Sequence, residues 1–318
     1  MASATSATRA VVKRCAPSRA RTRAAASRMS ATSLVERTCR GCFLKETRDF
    51  PPLAMNAPGT RILNATDYSY SRLPDTPVRT PRTAMSILQS QKNLLLVGAS
   101  RGLGYAMAEE FLKHQWNVVG TVRGEARTRL HELAEKSAGR CEIETLDITL
   151  PDQINALRSR LAARTFDMLF VNAGITNNPQ ETIGEVSTEE FVRVMVTNAL
   201  SPMRVVEALH DLVASDGTIG VMSSGQGSVS NNTSGNREVY RASKAALNTL
   251  MRSFAARHVA HRRAMVLMAP GWVRTDLGGP EGRVSIEESV PNVVSTLLSA
   301  RGEPGLRYLD YLGRTVPW

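Results

Sequence analysis

The segment YRASK sets Tyr240 and Lys244 four positions apart. On an α-helix such positions share a face, so a phenol and an ammonium would reach into the same space. A free tyrosine titrates at about pH 10 and exchanges protons poorly near neutrality, whereas a fixed ammonium beside it favours the phenolate and lowers that value. The pair is therefore a candidate acid/base. On an exposed face the same spacing would be only a tyrosine beside a solvated lysine. A second cluster, GASRGLG, sets Gly98, Gly102 and Gly104 around Ser100, Arg101 and Leu103. Glycines so placed let the backbone turn tightly, approach a pyrophosphate and pack a helix close to a sheet, while a helix N-terminus offers unpaired amides to phosphate. The spacing is GxxxGxG rather than GxGxxG, so its position between a strand and a helix carries the argument.

The elements around these residues supply that position. LLLVG (94–98), NVVGTV (117–122), CEIETL (141–146), DMLFV (167–171), GTIGVM (217–222) and AMVLMA (264–269) have the length and residues of buried parallel strands. Stretches between them, such as YAMAEEFLKH and PDQINALRSRLA, repeat apolar residues at three and four. SIEESVPNVVSTLLSA and LRYLDYLG add a last helix and strand. The series predicts a single α/β domain over 93–318, a Rossmann-like doubly wound parallel sheet with helices on both faces.

Charge is unevenly distributed. Residues 1–92 hold 16 Lys or Arg against 5 Asp or Glu, which leaves 24 of each sign in residues 93–318. The basic balance belongs to the leader, and the inference from a basic protein to nucleic acid loses its footing. Residues 1–35 lack any acid and are rich in Arg, Ser, Ala and Thr without an apolar core, which reads as an organelle transit peptide, chloroplast favoured over mitochondrion. Residues 36–92, rich in proline and without apolar period, read as disordered leader remainder or linker. No run of 18 apolar residues predicts a membrane span. The lone CRGC lacks the second ligand pair a zinc site needs, so no metal is expected.

NAD sites commonly place an acid after the second strand for the ribose 2′-hydroxyl, whereas a 2′-phosphate needs cations. Here that strand ends at Arg123, with no acid until Glu125, and Arg101 lies in the glycine turn. Two guanidinium groups can grip a phosphate bidentately, which predicts NADP(H).

With both motifs in this order, residues 93–318 resemble the short-chain dehydrogenase/reductase family. LDIT, with Asp147 and Ile148, resembles the family's adenine-pocket motif. NAG, with Asn172, Ala173 and Gly174, is similar to the turn beside the ribose. Asn198 matches the asparagine of the family's long interfacial helix, and SSGQG singles out Ser224, with Ser223 as fallback. PGWVRTD, with Pro270, Gly271, Val273 and Thr275, resembles the stretch that meets the nicotinamide amide. YRASKAALN, APGWVRTDLGGP and GRTVPW look like the branch of sniffer-type carbonyl reductases and C-factor-like proteins.

The resemblance implies that Tyr240 protonates the carbonyl oxygen of a small-molecule substrate, Ser224 hydrogen-bonds that oxygen, Lys244 holds the nicotinamide ribose, and Asn198 holds a water in a proton relay. It implies an NADPH-dependent reduction of an aldehyde, ketone or quinone by hydride transfer, in a homodimer or homotetramer. Two alternatives stay open. One is a plastid ketoacyl carrier-protein reductase, for which Arg241 is a candidate docking cation; the other is a non-catalytic NADP-binding signalling or scaffold protein. The 16 positions from Ser224 to Tyr240, about three more than in many family members, predict a surface excursion. The roughly ten residues between Thr275 and Ile286 predict a short lid and broad or bulky substrates.

Overall fold

Strand β1 (Asn93–Val97) shows how the domain is assembled: Leu95 and Val97 enter one buried cluster, Leu94 and Leu96 the other. Successive side chains of a strand point to opposite faces, so a continuous apolar run can exist only where both faces are covered. The computed structural model describes residues 91–318. The segment 1–35 and, apart from Gln91 and Lys92, the segment 36–92 lie outside the described residues.

From β1 the chain continues through α1 (Gly102–Lys113), β2 (Asn117–Val122), α2 (Arg129–Lys136), β3 (Cys141–Thr145), α3 (Pro151–Arg160) and β4 (Phe166–Val171). Then come α4 (Thr188–Met195), a π-helical turn (Val196–Leu200), α5 (Ser201–Leu209), β5 (Val213–Met222), α6 (Glu238–Arg257), β6 (Ala264–Ala269), α7 (Ile286–Ser299) and β7 (Gly305–Asp310). The seven strands pair in parallel in the order β3-β2-β1-β4-β5-β6-β7. This is the predicted doubly wound sheet. Phe111 of α1 and Val294 and Leu297 of α7 cover one face; Leu157 of α3, Val206 of α5 and Met251 of α6 cover the other. β5 begins at Val213, four residues before the apolar run suggested, because Val213 pairs with Phe166 across an irregular register.

Strand order reverses between β1 and β4. At such a switch point the connections leave to opposite faces and open a crevice at the carboxyl ends of the strands. Gly98, which follows β1, and Asn172, which follows β4, meet there. No helix among the described residues is long and apolar enough to cross a membrane.

Candidate active site

The glycine turn is held by side chains from both neighbouring strands. The Gly98 amide donates to Thr121 Oγ1 at 3.0 Å, and Asn172 Nδ2 donates to the Gly98 carbonyl at 2.8 Å. Gly98 has φ +87°, a conformation an L side chain rarely adopts, and a Cβ there would lie 2.9 Å from Ala173. A Cβ on Gly104 would collide with the Gly98 carbonyl oxygen. These two glycines are therefore required by the close packing of turn, strand and helix, which sets the N-terminal amides of α1 beside the turn. Thr121 was not among the expected residues; a threonine facing the turn from the neighbouring strand is a signal visible only once the register is known.

Around the turn, Arg123 is exposed and has no hydrogen-bond or ion-pair partner among the described residues. Arg101 Nη1 pairs at 3.0 Å with Asp276, both side chains largely solvated. Asp147 Oδ1 accepts from the Thr149 amide at 2.9 Å and the Thr149 hydroxyl at 2.6 Å, which fixes the turn that presents the buried Ile148. Ser100 and Leu103 are half-buried at the mouth of α1. Across the crevice, the Pro270 carbonyl accepts from the buried Ser289 hydroxyl at 2.7 Å, and Gly271 has φ +89° beside the Tyr311 ring. Val273 is buried, and Thr275 Oγ1 accepts from the Gly278 amide at 3.0 Å.

The expected catalytic set comes from three elements: α6 carries Tyr240 and Lys244, the π-helical turn carries Asn198, and the turn after β5 carries Ser224. Lys244 is 3 % exposed, and its ammonium donates to the Met222 carbonyl at 2.8 Å. Burial without a counter-ion lowers Lys244 to about 8. Its Nζ lies 5.9 Å from the centroid of the Tyr240 ring. The expectation that Lys244 draws Tyr240 down is corrected here. Tyr240 is raised, because burial of the phenol outweighs the opposing pull of its hydrogen bonding with the Ser224 side chain and of the Arg237 guanidinium, and Tyr308 adds to the rise. Spacing reported the shared face and not the desolvation.

Asn198 sits in the π-helical turn, fully buried. Its Oδ1 accepts from the Ile175 amide at 2.8 Å, and its Nδ2 donates to the Ile175 carbonyl at 2.8 Å and to Ser243 Oγ at 3.0 Å. The side chain thus fastens the segment after β4 to α6. A Cβ on Gly174 would lie 3.3 Å from Asn198 Oδ1 and 3.4 Å from Lys244 Nζ, so these two polar groups flank Gly174.

Ser224 lies half-buried at the head of the turn Gly225–Gly227, and its hydroxyl accepts from the Gln226 amide at 3.1 Å. Ser223, the fallback, is 1 % exposed and donates to Asn248 Oδ1 at 2.6 Å. The excursion at 231–236 is exposed, as expected. Arg241 is corrected as well. It is 9 % exposed, with Nε donating to the Asn236 carbonyl at 2.6 Å and Nη2 to Ser234 Oγ at 2.9 Å, so it staples the excursion and offers no cation to a docking partner. Arg237 enters α6 with φ +59°, a left-handed conformation costing about 1–2 kcal/mol in a residue with a Cβ, one turn ahead of Tyr240. The short lid closes on itself: the Arg274 amide donates to the Val284 carbonyl and the Val284 amide to the Trp272 carbonyl, each at 3.0 Å.

The family model described as "Enoyl-(Acyl carrier protein) reductase" matches residues 98–292. The chain is 32 % identical over 167 residues to the C-signal protein of Myxococcus xanthus, covering 52 % of this chain and all of that protein. Among solved structures, one assigned to the short-chain dehydrogenases/reductases, from Burkholderia multivorans with bound NADP, is 66 % identical with TM-score 0.71, covering 72 % of this chain and all of that one. Carbonyl reductase Sniffer of D. melanogaster is 26 % identical with TM-score 0.65 at the same coverage. With the glycine turn, the Tyr-Lys helix and a family match over more than half its length, the chain belongs to the short-chain dehydrogenase/reductase family.

Proposed function

We propose that this chain is an NADP(H)-dependent oxidoreductase that reduces the carbonyl of an aldehyde, ketone or quinone to an alcohol. The observation that carries the reading is the meeting of Ser224 and Tyr240 side chains next to buried Lys244, at the same crevice as the glycine turn. The residues fit a dinucleotide: Gly102, at φ +54°, opens α1 with nothing within 4 Å of where its Cβ would stand, and Arg123 is a cation without a protein partner among the described residues. The NADP held by the Burkholderia relative supports the choice of cofactor. Bound NADPH supplies the hydride that reaches the carbonyl carbon.

The chain's own groups supply the rest. Because burial raises Tyr240, its phenol stays protonated across the neutral range and can give its proton to the carbonyl oxygen. Ser224 Oγ donates a hydrogen bond to the same oxygen and stabilises the charge that develops there. Lys244, which donates to the Met222 carbonyl, would hold the ribose hydroxyls of the bound cofactor. Arg123, and Arg101 if freed from Asp276, would hold the 2′-phosphate. The self-bonded lid supports broad or bulky substrates. The burial of Arg241 removes the residue that favoured a carrier-protein substrate.

The test is NADPH and NADH oxidation by the full chain against aldehydes, ketones, quinones and acyl thioesters, beside Tyr240→Phe. Turnover preferring NADPH and lowered about 10³-fold in the variant is expected. Turnover that survives the substitution sinks the acid/base reading, and NADPH binding without turnover on any carbonyl makes the protein a binder. Val192, Leu200 and Leu250, exposed apolar residues on α4, the π-helical turn and α6, support assembly through these helices into a dimer or tetramer, which sedimentation would reveal as a mass above that of one chain. The composition of residues 1–35 supports an organellar, chloroplast-first destination, testable by locating a fluorescent fusion.

A further inference from the structure

We propose that Tyr308 is a positioning residue for Ser224, acting with Trp318 to hold the Ser224–Ser230 segment in register with Tyr240; this rests on the reading of Ser224 as the carbonyl-binding hydroxyl. Tyr308 lies on β7, 84 positions from Ser224, and is 2 % exposed. Its hydroxyl donates to the Ser224 carbonyl, which also accepts from the Gly227 amide at 2.8 Å. Burial raises the Tyr308 phenol, and the nearby Asn248 and Ser223 side chains oppose that rise. Asn248 in turn takes the Ser223 hydroxyl and donates to the Gly227 carbonyl at 3.2 Å. The near end of the segment is thereby tied to β7 and α6 together.

Trp318 ties the far end. Its carbonyl accepts from the Ser230 amide at 3.0 Å and from Ser228 Oγ at 3.3 Å. Its ring lies 5.6 Å from the Tyr308 ring, with the Arg252 guanidinium 4.8 Å over it. The Val316 amide donates to the Tyr308 carbonyl at 2.8 Å, so residues 316–318 fold back along β7 towards the active site. The need for such pins is physical. Ser224 begins a stretch that leads into the exposed excursion at 231–236, and a donor aimed at a developing charge loses its effect when its position is averaged over about 1 Å.

The experiment is a double-mutant cycle of Tyr308→Phe and Ser224→Ala, with NADPH affinity followed by fluorescence titration and hydrogen exchange of residues 225–236 measured in Trp318→Ala. Tyr308→Phe keeps the ring and removes one hydroxyl. We expect kcat about 10-fold lower, NADPH affinity and carbonyl KM within about twofold, and no further loss when Ser224 is already alanine. Trp318→Ala should speed exchange at 228–236 while leaving the glycine turn's NADPH affinity intact. A full Tyr308→Phe loss in the Ser224→Ala background, or a parallel fall in NADPH affinity, overturns the proposal in favour of a general packing role. Unchanged exchange at 228–236 in Trp318→Ala removes the Trp318 ring from it. If Ser224→Ala alone leaves turnover intact, it is the underlying role of Ser224 that fails.

Discussion

Around Gly98 the groups suited to chemistry are backbone amides, framed by Thr121 and Asn172, and the cations Arg101 and Arg123 stand in solvent. Around Tyr240 they are side chains, and Tyr240, Lys244 and Asn198 are all buried. The two ends of one crevice thus carry their costs differently. At the first, the restriction falls on φ angles and on the absence of Cβ atoms, while charge stays hydrated until a ligand arrives. At the second, a lysine is stripped of water with only a carbonyl dipole opposite it, and the fold tolerates this because the sheet and α6 over-determine its place. Phosphate binding can wait for its counter-charge, whereas proton transfer needs a dry, preset geometry.

Three perturbations probe that contrast. The largest effect is expected at the buried end. Lowering Lys244 to about 8 from the ordinary lysine value corresponds to about 3 kcal/mol against folding, and an unpaired Met222 carbonyl would return about 1–2 kcal/mol of that. Lys244→Met should therefore raise Tm by about 3–6 °C while abolishing turnover. The sign of the pH dependence follows from the depressed folded value. Below about pH 8 both states hold the proton and the folded state carries the full cost; from there up to the ordinary lysine range only the unfolded state holds it, so stability rises with pH. Lys244→Met should remove that rise, and a variant that melts lower at pH 7 would contradict the assignment of cost to this end.

An intermediate effect is expected at the exposed end. Arg123→Ser should raise the NADPH KM about 10-fold and leave that for NADH unchanged, with Tm within about 1 °C, because the guanidinium is bound to nothing in the protein that the structure describes. Equal losses with both cofactors would mean that Arg123 shapes the turn and does not read the phosphate. The smallest effect belongs to Asp276→Asn. Its pair with Arg101 is solvated and worth less than about 1 kcal/mol, so releasing Arg101 should lower the NADPH KM no more than about threefold, and less at high salt. An increase in KM would show that Asp276 helps to seat the cofactor.

The same contrast explains what could be read from residues in order. Gly98, Gly104, Tyr240 and Lys244 announce themselves because turn geometry and helical faces are local, fixed by spacing along the chain. The strands were legible because burial on both faces leaves uninterrupted apolar runs such as LLLV. Arg241 misled because its cationic head is used by the carbonyl of Asn236 and the hydroxyl of Ser234, in an excursion whose path no local rule gives. The rise of the Tyr240 pKa was hidden for a related reason: it comes first from burial of the phenol, which depends on everything the fold packs around it and has no signature in the Tyr240–Lys244 spacing. Tyr308 was invisible as anything but a strand residue, since its partner is 84 positions away.

The π-helical turn at Val196–Leu200 couples the chemistry to the core in a way that constrains any redesign. Such a turn inserts one residue into the helical repeat, so α4 and α5 are two helices running end to end but out of phase by about 100°. Deleting one residue from it to give a continuous α-helix would improve local hydrogen bonding and still unseat the domain: Val205, Val206 and Leu209 would rotate off the sheet as Asn198 rotated off Ile175. The amide that fastens the active site and the stripe that anchors α5 are phase-locked, and neither can be edited alone.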